Sequence, residues 1–348
     1  MSGVLLFNGC YSPPFDEGVK LVVRRLAEAL ARAGPVTVAT TARGASEEVV
    51  VVPPGPWGFW RAMRNLVQAT QPDAIVYVPD AYLDRYTLAR CGLLRLAAGR
   101  MPIAMVTLQP NTFDLPVRLM LRLWRPDVVF AQADAPAGLY ERYGIRWQVL
   151  PPAVDAETFR PAAGPDEKRR LRRQYGLLTE GKVCLHVGHI RENRNMAWLV
   201  RLSLPADARL VVVGSTSRAI ETHLVDRLRE RGATVIERFL PHVEEVYRLA
   251  DVYLFPVEQG TAAIEMPLSV LEAMACNLPV VSTPFGGLVR CFEGVPGVYF
   301  AATEEAFGDA VRRALDVPVP ETRKAVENHT WNRIAADILN CMETCGCH

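Results

Sequence analysis

Short apolar runs rich in β-branched residues alternate along this chain with longer stretches in which apolar positions recur every three or four residues. In the first half the short runs are Val4–Phe7, Val36–Thr40, Val49–Val52, Ala74–Val78, Ile103–Thr107, Val128–Ala131 and Trp147–Leu150. Runs of this length bounded by turn formers predict buried strands. Between the first two, Val19, Val22, Val23, Leu26 and Leu30 share one face of a helix over Val19–Ala33, which Gly34-Pro35 stops. Around Pro151-Pro152 and Pro161–Pro165 the texture turns to proline and turn residues, and a charged helix follows over Glu167–Tyr175. The alternation then resumes, with strands at Val183–Val187, Leu210–Val213, Thr234–Ile236, Val252–Phe255, Val280–Ser282 and Val298–Phe300, and a last helix over Thr330–Cys345. Strands alternating with helices predict α/β structure with parallel sheets. The expected organisation is two doubly wound, Rossmann-like domains, residues 1–155 and 156–329, joined by a hinge, with residues 330–348 as a helix and Cys-rich tail. Ligands bind beyond the carboxyl ends of parallel strands, so two such domains facing each other are expected to make one cleft that closes on a substrate.

Two stretches carry candidate chemistry. In the first, residues 265–287, Pro267 suits the first position of a helix running to about Cys276, with Asn277 as its stop. The first-turn amides of Leu268 and Ser269 have no intrahelical acceptor and favour an anion. Glu265 and Glu272, seven residues apart, fall near one helix face roughly 10 Å apart along the axis. Two carboxylates that accept from sugar diols, with an anion site between them, match a ribose, a diphosphate and a hexose in a row. Spacing alone favours the blander outcome, an exposed helix with solvated acids. In the second stretch, Val187-Gly188-His189-Ile190-Arg191-Glu192-Asn193-Arg194-Asn195, a glycine turn follows a strand and places basic side chains where a phosphate arrives. Arg194 can clamp one with parallel hydrogen bonds. A loop with surface arginines fits the same spacing.

Three blocks together resemble the retaining glycosyltransferases of the GT-B fold, family 4, also called glycosyl transferases group 1. They are the linker from Val149 to Pro161, with Asp155 and Phe159; the loop Leu185-His186-Val187-Gly188-His189-Ile190; and the block Pro267 to Gly287 containing Glu272-Ala273-Met274-Ala275. Thr330-Trp331 resembles the start of the family's final helix, which crosses back to the first domain. The resemblance covers most of residues 147–340, and residues 1–146 match in layout alone. It implies an α/β GT-B enzyme that transfers a hexose from a nucleotide-diphosphate sugar, UDP- or GDP-linked first among them, to a glycan, lipid or small-molecule acceptor. It implies that Glu272 holds the ribose hydroxyls and Arg194 the diphosphate, and that Gly188 and His189 form the donor loop. Phe239 and Leu240 would lie at the base, and Met266, Leu268 and Ser269 at the phosphates or sugar. Gly18 would face the substrate from the first domain. The family's first acid falls on Ile264, so Glu265, one place later, is the candidate substitute. His189 stands where the family carries Arg. All six histidines lie in the second half, so the family's first-domain His is missing, and Asp80, Gln109 and Asp114 are the acceptor-side candidates.

Composition narrows the partners. The chain has 348 residues, half of them hydrophobic, and a formal charge of +1 from 39 basic and 38 acidic residues. A nucleic-acid binder needs a basic excess, so none is expected. No leader peptide and no bilayer-spanning run is visible, and a cytoplasmic location is expected. Arg118, Arg122 and Arg125 at helical spacing among apolar residues suggest either a core-packed helix or peripheral contact at the inner membrane face. The cluster Trp57-Gly58-Phe59-Trp60 suits internal packing or an acceptor groove. No Asp-x-Asp pair is present, so no metal or other cofactor is expected, although the tail Cys341, Cys345, Cys347, His348 carries zinc-type donors. Rival readings are a non-catalytic protein of the same fold and a nucleotide-sugar epimerase or hydrolase. A dinucleotide oxidoreductase is disfavoured, because no G-x-G-x-x-G follows a strand.

Overall fold

The computed structural model describes residues 3–80, 83–109, 115–132, 139–217, 219–316 and 320–346. It divides into two compact units, Met1–Pro151 with Trp331–His348, and Pro152–Thr330. In the first unit seven parallel strands are β1 (Val4–Phe7), β2 (Val36–Thr40), β3 (Val50–Val51), β4 (Ala74–Tyr77), β5 (Ile103–Thr107), β6 (Val128–Ala131) and β7 (Arg146–Val149). Their spatial order is β3-β2-β1-β4-β5-β6-β7, so the winding reverses between β1 and β4, where Val4 pairs with both Val36 and Ala74. Strands β1, β4, β5 and β6 are buried throughout, as strands covered on both faces must be. The edge strand β3 keeps two residues of the expected four, both exposed, in line with the short edges that parallel sheets tolerate. The helix Gly18–Ala31 buries the expected stripe of Val19, Val22, Val23, Leu26 and Leu30. The last helix, Trp331–Gly346, belongs to this unit, and Arg32 donates to Asn332 at 3.0 Å.

The second unit has six parallel strands, β8 (Lys182–Gly188), β9 (Ala208–Gly214), β10 (Thr234–Ile236), β11 (Val252–Phe255), β12 (Val280–Ser282) and β13 (Val298–Phe300). The order β10-β9-β8-β11-β12-β13 reverses between β8 and β11. Asp251 fixes that junction from the amino end: it accepts from the Val183 amide at 2.6 Å, from buried Arg172 at 2.5 Å and from Lys168 at 2.7 Å. The ion pair joins helix Pro165–Gln174 to the first residues of β8 and β11. Because both central strands are held at one end, the chain just past their carboxyl ends has a defined position, and that is where the chemistry-bearing segments lie.

One expectation is corrected. The arginine-bearing segment forms a helix only over Leu115–Leu121, so Arg118, Arg122 and Arg125 do not share a helical face. Val117 and Leu121 go into the core, whereas Leu119, Leu123 and Trp124 are exposed. The aromatic cluster splits: Phe59 is fully buried edge-on to Phe7 at 5.0 Å, and Trp57 faces solvent. No helix among the described residues is long and apolar enough to cross a membrane. Cys341 is buried; Cys347 and His348, like the side chain of Cys345, lie outside the described residues.

Candidate functional site

In the second unit, three distant segments meet around the carboxyl ends of β8 and β11. Pro267 has φ −61° and ψ 119° and is the cap residue rather than the first helical one. The helix spans Leu268–Ala275, and Asn277, at φ 58°, turns the chain after it, a left-handed position that Asn tolerates. Glu265 therefore precedes the helix, and the helical spacing drawn between the two acids does not hold. The expectation of solvated acids is overturned as well. Glu272 is 7% exposed and Glu265 6%, because every residue of the helix except Ser269 is buried. A helix apolar nearly all round goes inside, and a carboxylate carried in with it needs donors.

Glu272 receives one from Tyr247, whose hydroxyl donates to its Oε2 at 2.7 Å. Tyr247 lies on helix Glu244–Leu249, fully buried. Its ring packs between Phe159, edge-on at 5.6 Å, and Tyr253 at 5.8 Å. Phe159 comes from the linker and Tyr253 from β11, so the three segments lock one donor against the carboxylate. Burial and the neighbouring Glu272 push the Tyr247 hydroxyl well above its ordinary pKa, which keeps it a donor. Tyr253 in turn donates to the Val187 carbonyl at 3.2 Å and interacts with Ser269, tying the end of β8 to the start of the helix.

Glu265 sits on the approach to the helix. Its carbonyl accepts from the Gly287 amide at 3.1 Å, and its carboxylate lies against Gly286. Burial raises its pKa and Arg290 opposes the rise. Met266 and Leu268 are buried beside it, and Ser269 is half-buried.

The donor loop is compact. β8 ends at Gly188, His189 is buried, and Glu192–Arg194 forms a 3-10 turn closed by Asn195 in the left-handed region. A side-chain methylene at Gly188 would lie 3.4 Å from both Nη1 of Arg194 and Nε2 of His186. Glu221 braces the turn by accepting from the Glu192 amide at 3.1 Å, and His223 Nε2 lies 3.2 Å from Glu192 Oε1. Among the described residues Glu192, Glu221 and His223 bring three potential metal donors within 4.8 Å of one another, a grouping that sequence spacing did not disclose. Beyond β10, Phe239 is 47% exposed and Leu240 buried.

The first unit carries its own polar group past the reversal of its sheet. Asn8, fully buried after β1, donates to the Val78 carbonyl at 2.9 Å and to Asp80 at 3.0 Å. Asp80 keeps solvent access on one side, but its oxygens lie against the Gly9–Cys10 backbone, and that desolvation raises its pKa against the lowering pull of hydrogen bonds from Cys10 and Gly9. Desolvation, followed by the Asp80 charge, pushes the Cys10 thiol up to about 12, so it is no thiolate nucleophile. Gln109 is half-buried just past β5, and Gly18 opens its helix. Asp114 lies outside the described residues. The motif and spacing arguments do not reach Tyr247, Tyr253, His186 or Asn8.

Comparison with known proteins bears on the fold and on the second unit. The family described as Glycosyl transferases group 1 matches residues 181–316. A D-inositol 3-phosphate glycosyltransferase of Salinispora arenicola is 28% identical over 288 residues, covering 73% of this chain and 61% of that protein. One from Actinosynnema mirum is 31% identical over 236 residues, covering 60% of this chain and 54% of that protein. The chain thus spans less than two thirds of the length of these curated relatives. Among solved structures, sucrose-phosphate synthase from Thermosynechococcus elongatus superposes with a TM-score of 0.78 at 17% identity, covering 99% of both chains. Anabaena HepE in complex with UDP and glucose gives 0.71 at 16% identity, covering 97% of this chain and 99% of that one. The two parallel-sheet units have the GT-B fold, and within the second unit residues 181–316 are similar to the glycosyl transferases group 1 family.

Proposed function

We propose that this chain transfers a hexose from a UDP- or GDP-linked sugar to a hydroxyl acceptor, a glycan, a lipid or a small molecule, with retention of configuration. The observation that carries the reading is Glu272, a carboxylate buried in an otherwise apolar helix and held by Tyr247. A buried charge is costly, and a helix inside a group 1 domain that retains one has a use for it. In this reading Glu272 accepts from the ribose diol, Arg194 pairs with the diphosphate, and the first-turn amides of Leu268 and Ser269 face the same anion. Phe239 offers an exposed apolar ring beyond β10 for the base. As the glycosidic bond lengthens, Arg194 and the amides stabilise charge growing on the leaving oxygens, which take the acceptor's proton; preorganised donors of this kind supply much of catalysis. These groups neutralise the diphosphate, so transfer is expected to survive chelator, and a loss of activity in EDTA would point to Glu192, Glu221 and His223 instead. The names of the relatives make phosphorylated polyols and sugars the first acceptors to try.

The test is thermal unfolding with UDP, GDP, ADP and their sugars. A ligand that binds the native state at a hundredfold excess over Kd adds about 2.7 kcal/mol of stability, a shift of several degrees. No shift with any of them would refute the donor site. Because Ile264 and His189 replace the family's Glu and Arg, a non-catalytic role is the second reading. Binding with neither sugar transfer nor slow donor hydrolysis would favour it.

A further inference from the structure

Arg323 lies on the 3-10 turn Thr322–Ala325, outside the three family blocks, and it ties two of them together. Its Nη1 donates to the Ala275 carbonyl at 2.5 Å and to the Phe159 carbonyl at 3.0 Å, and its Nη2 donates to the Ala156 carbonyl at 2.9 Å. Ala275 ends the helix that carries Glu272, whereas Ala156 and Phe159 belong to the linker. The turn is itself seated just past that helix end. Thr322, fully buried, donates to the Leu278 carbonyl at 2.9 Å, and the Arg323 amide donates to Asn277 Oδ1 at 3.2 Å. The remaining nitrogen, Nε, pairs with exposed Glu327 at 3.3 Å.

The three carbonyls suit an arginine. The last carbonyls of a helix have no intrahelical donor, and the negative end of the helix dipole favours a cation. A guanidinium directs several N–H groups from one rigid plane, so a single side chain holds a helix end and a loop at once. What it joins is both supports of one carboxylate. Glu272 lies one turn before Ala275 on the same helix. The Phe159 ring packs edge-on against Tyr247 at 5.6 Å, and the Tyr247 hydroxyl donates to Glu272 at 2.7 Å. The acid and the ring that backs its donor are therefore fixed to the same guanidinium.

We propose that Arg323 is a positioning residue of the nucleotide site. By fixing the linker to the carboxyl end of the Glu272 helix it keeps the Tyr247 hydroxyl aligned on Glu272, and it acts through that pair rather than on the ligand. This rests on the reading of Glu272 as the acceptor for the ribose diol. The test is a double-mutant cycle of Arg323→Met and Tyr247→Phe on the full chain, read as the Kd for UDP and for GDP by calorimetry. Tyr247→Phe alone is expected to raise the Kd about fivefold or more. Arg323→Met, which keeps a stem of similar length and removes the fork, is expected to raise it by a similar factor. With the fork already gone, Tyr247→Phe should add less than about twofold, because the alignment it would destroy is lost. Arg323→Lys keeps a cation at the helix end and one bonding nitrogen; it is expected to lose less, and it carries the same cycle if Arg323→Met does not fold. A residue that only stabilises the fold would leave the Kd of the folded protein alone or give losses that multiply. Independent factors in the cycle, or an Arg323→Met protein that binds within about twofold of wild type, would therefore overturn the proposal. Failure of the wild type to bind either nucleotide removes the donor-site reading and this one together, whereas tight binding with independent losses removes only this one.

Discussion

Replacing Tyr247 with Phe removes one oxygen from the second unit and leaves Glu272 without the donor 2.7 Å away. The ring volume is unchanged, so its packing against Phe159 and Tyr253 survives and the cavity contribution is that of a single oxygen. What is lost is a hydrogen bond to a carboxylate that is 7% exposed, from a hydroxyl with no exposure at all. Little water can replace it, and a bond to a charged group is worth ~1.5–3 kcal/mol. For a domain of this size each kcal/mol moves the melting temperature by about 2–4 °C, so the variant should melt roughly 3–12 °C below the wild type. Urea unfolding of the full chain gives the energy directly. The cycle with Glu272→Ala isolates the pair, and a coupling of about 1 kcal/mol or more is expected, since the residues touch. Nucleotide affinity should fall as well, because the carboxylate loses the contact that aims it. A Tyr247→Phe protein within ~0.5 kcal/mol of wild type, with unchanged nucleotide affinity, would refute the claim that this hydroxyl holds the site.

The two acids should separate kinetically. Glu272→Ala is expected to raise the Kd for the nucleotide about tenfold or more, and Glu265→Ala to lower kcat with a small effect on Kd; equal effects on both constants would contradict the division of roles. Gly286 has φ +51°, and a methylene there would lie only 2.3 Å from the Glu265 carbonyl oxygen. Gly286→Ala should therefore cost ~1–3 kcal/mol of stability and depress turnover by displacing Glu265, seen by thermal unfolding and a rate assay. His186 adds a pH dependence. Its folded pKa is depressed to about 4, so the unfolded chain binds the extra proton between about pH 6.5 and 4. Its contribution is complete above that window and fades as pH falls through it. His186→Phe should flatten the slope of unfolding free energy against pH there, and an unchanged slope would place the titration elsewhere.

Most of the fold is legible because each strand announces itself within its own three to five residues. Val4–Phe7, Val36–Thr40, Ile103–Thr107, Val128–Ala131, Thr234–Ile236, Val252–Phe255, Val280–Ser282 and Val298–Phe300 stand where the apolar runs put them. Departures occur where tertiary context decides. β3 shrinks because it is an edge, and β8 and β9 extend past their apolar runs because they pair along their whole length, from Lys182–Ala208 to Gly188–Gly214. The helix at Arg118 stops early for a similar reason. Trp124 folds back beside Gly92, 32 positions earlier in the chain, where a methylene would meet its ring at 2.6 Å, a contact that the arginine pattern does not disclose.

The site divides along the same line. Glu272 stands out in the sequence as an acid of interest; its spacing from Glu265 points to a solvated helix, whereas the signal for burial lies in the residues beside it. In Leu268–Ala275 all residues but Ser269 and Glu272 are apolar, and a helix with no polar face has no solvent side to which a carboxylate can turn. The same reasoning applies to His186, which sits between Leu185 and Val187 in a strand covered on both faces. An ionisable residue in a segment that pattern alone sends inside must find a partner there, so each such residue implies a second group that no local pattern names. For Glu272 that group is Tyr247, 25 positions away and brought up by the stack of Phe159 and Tyr253. For His186 one nitrogen finds the carbonyl of Leu254, 68 positions away. Local pattern thus tells which polar groups are buried, and only the packed structure tells which partners satisfy them.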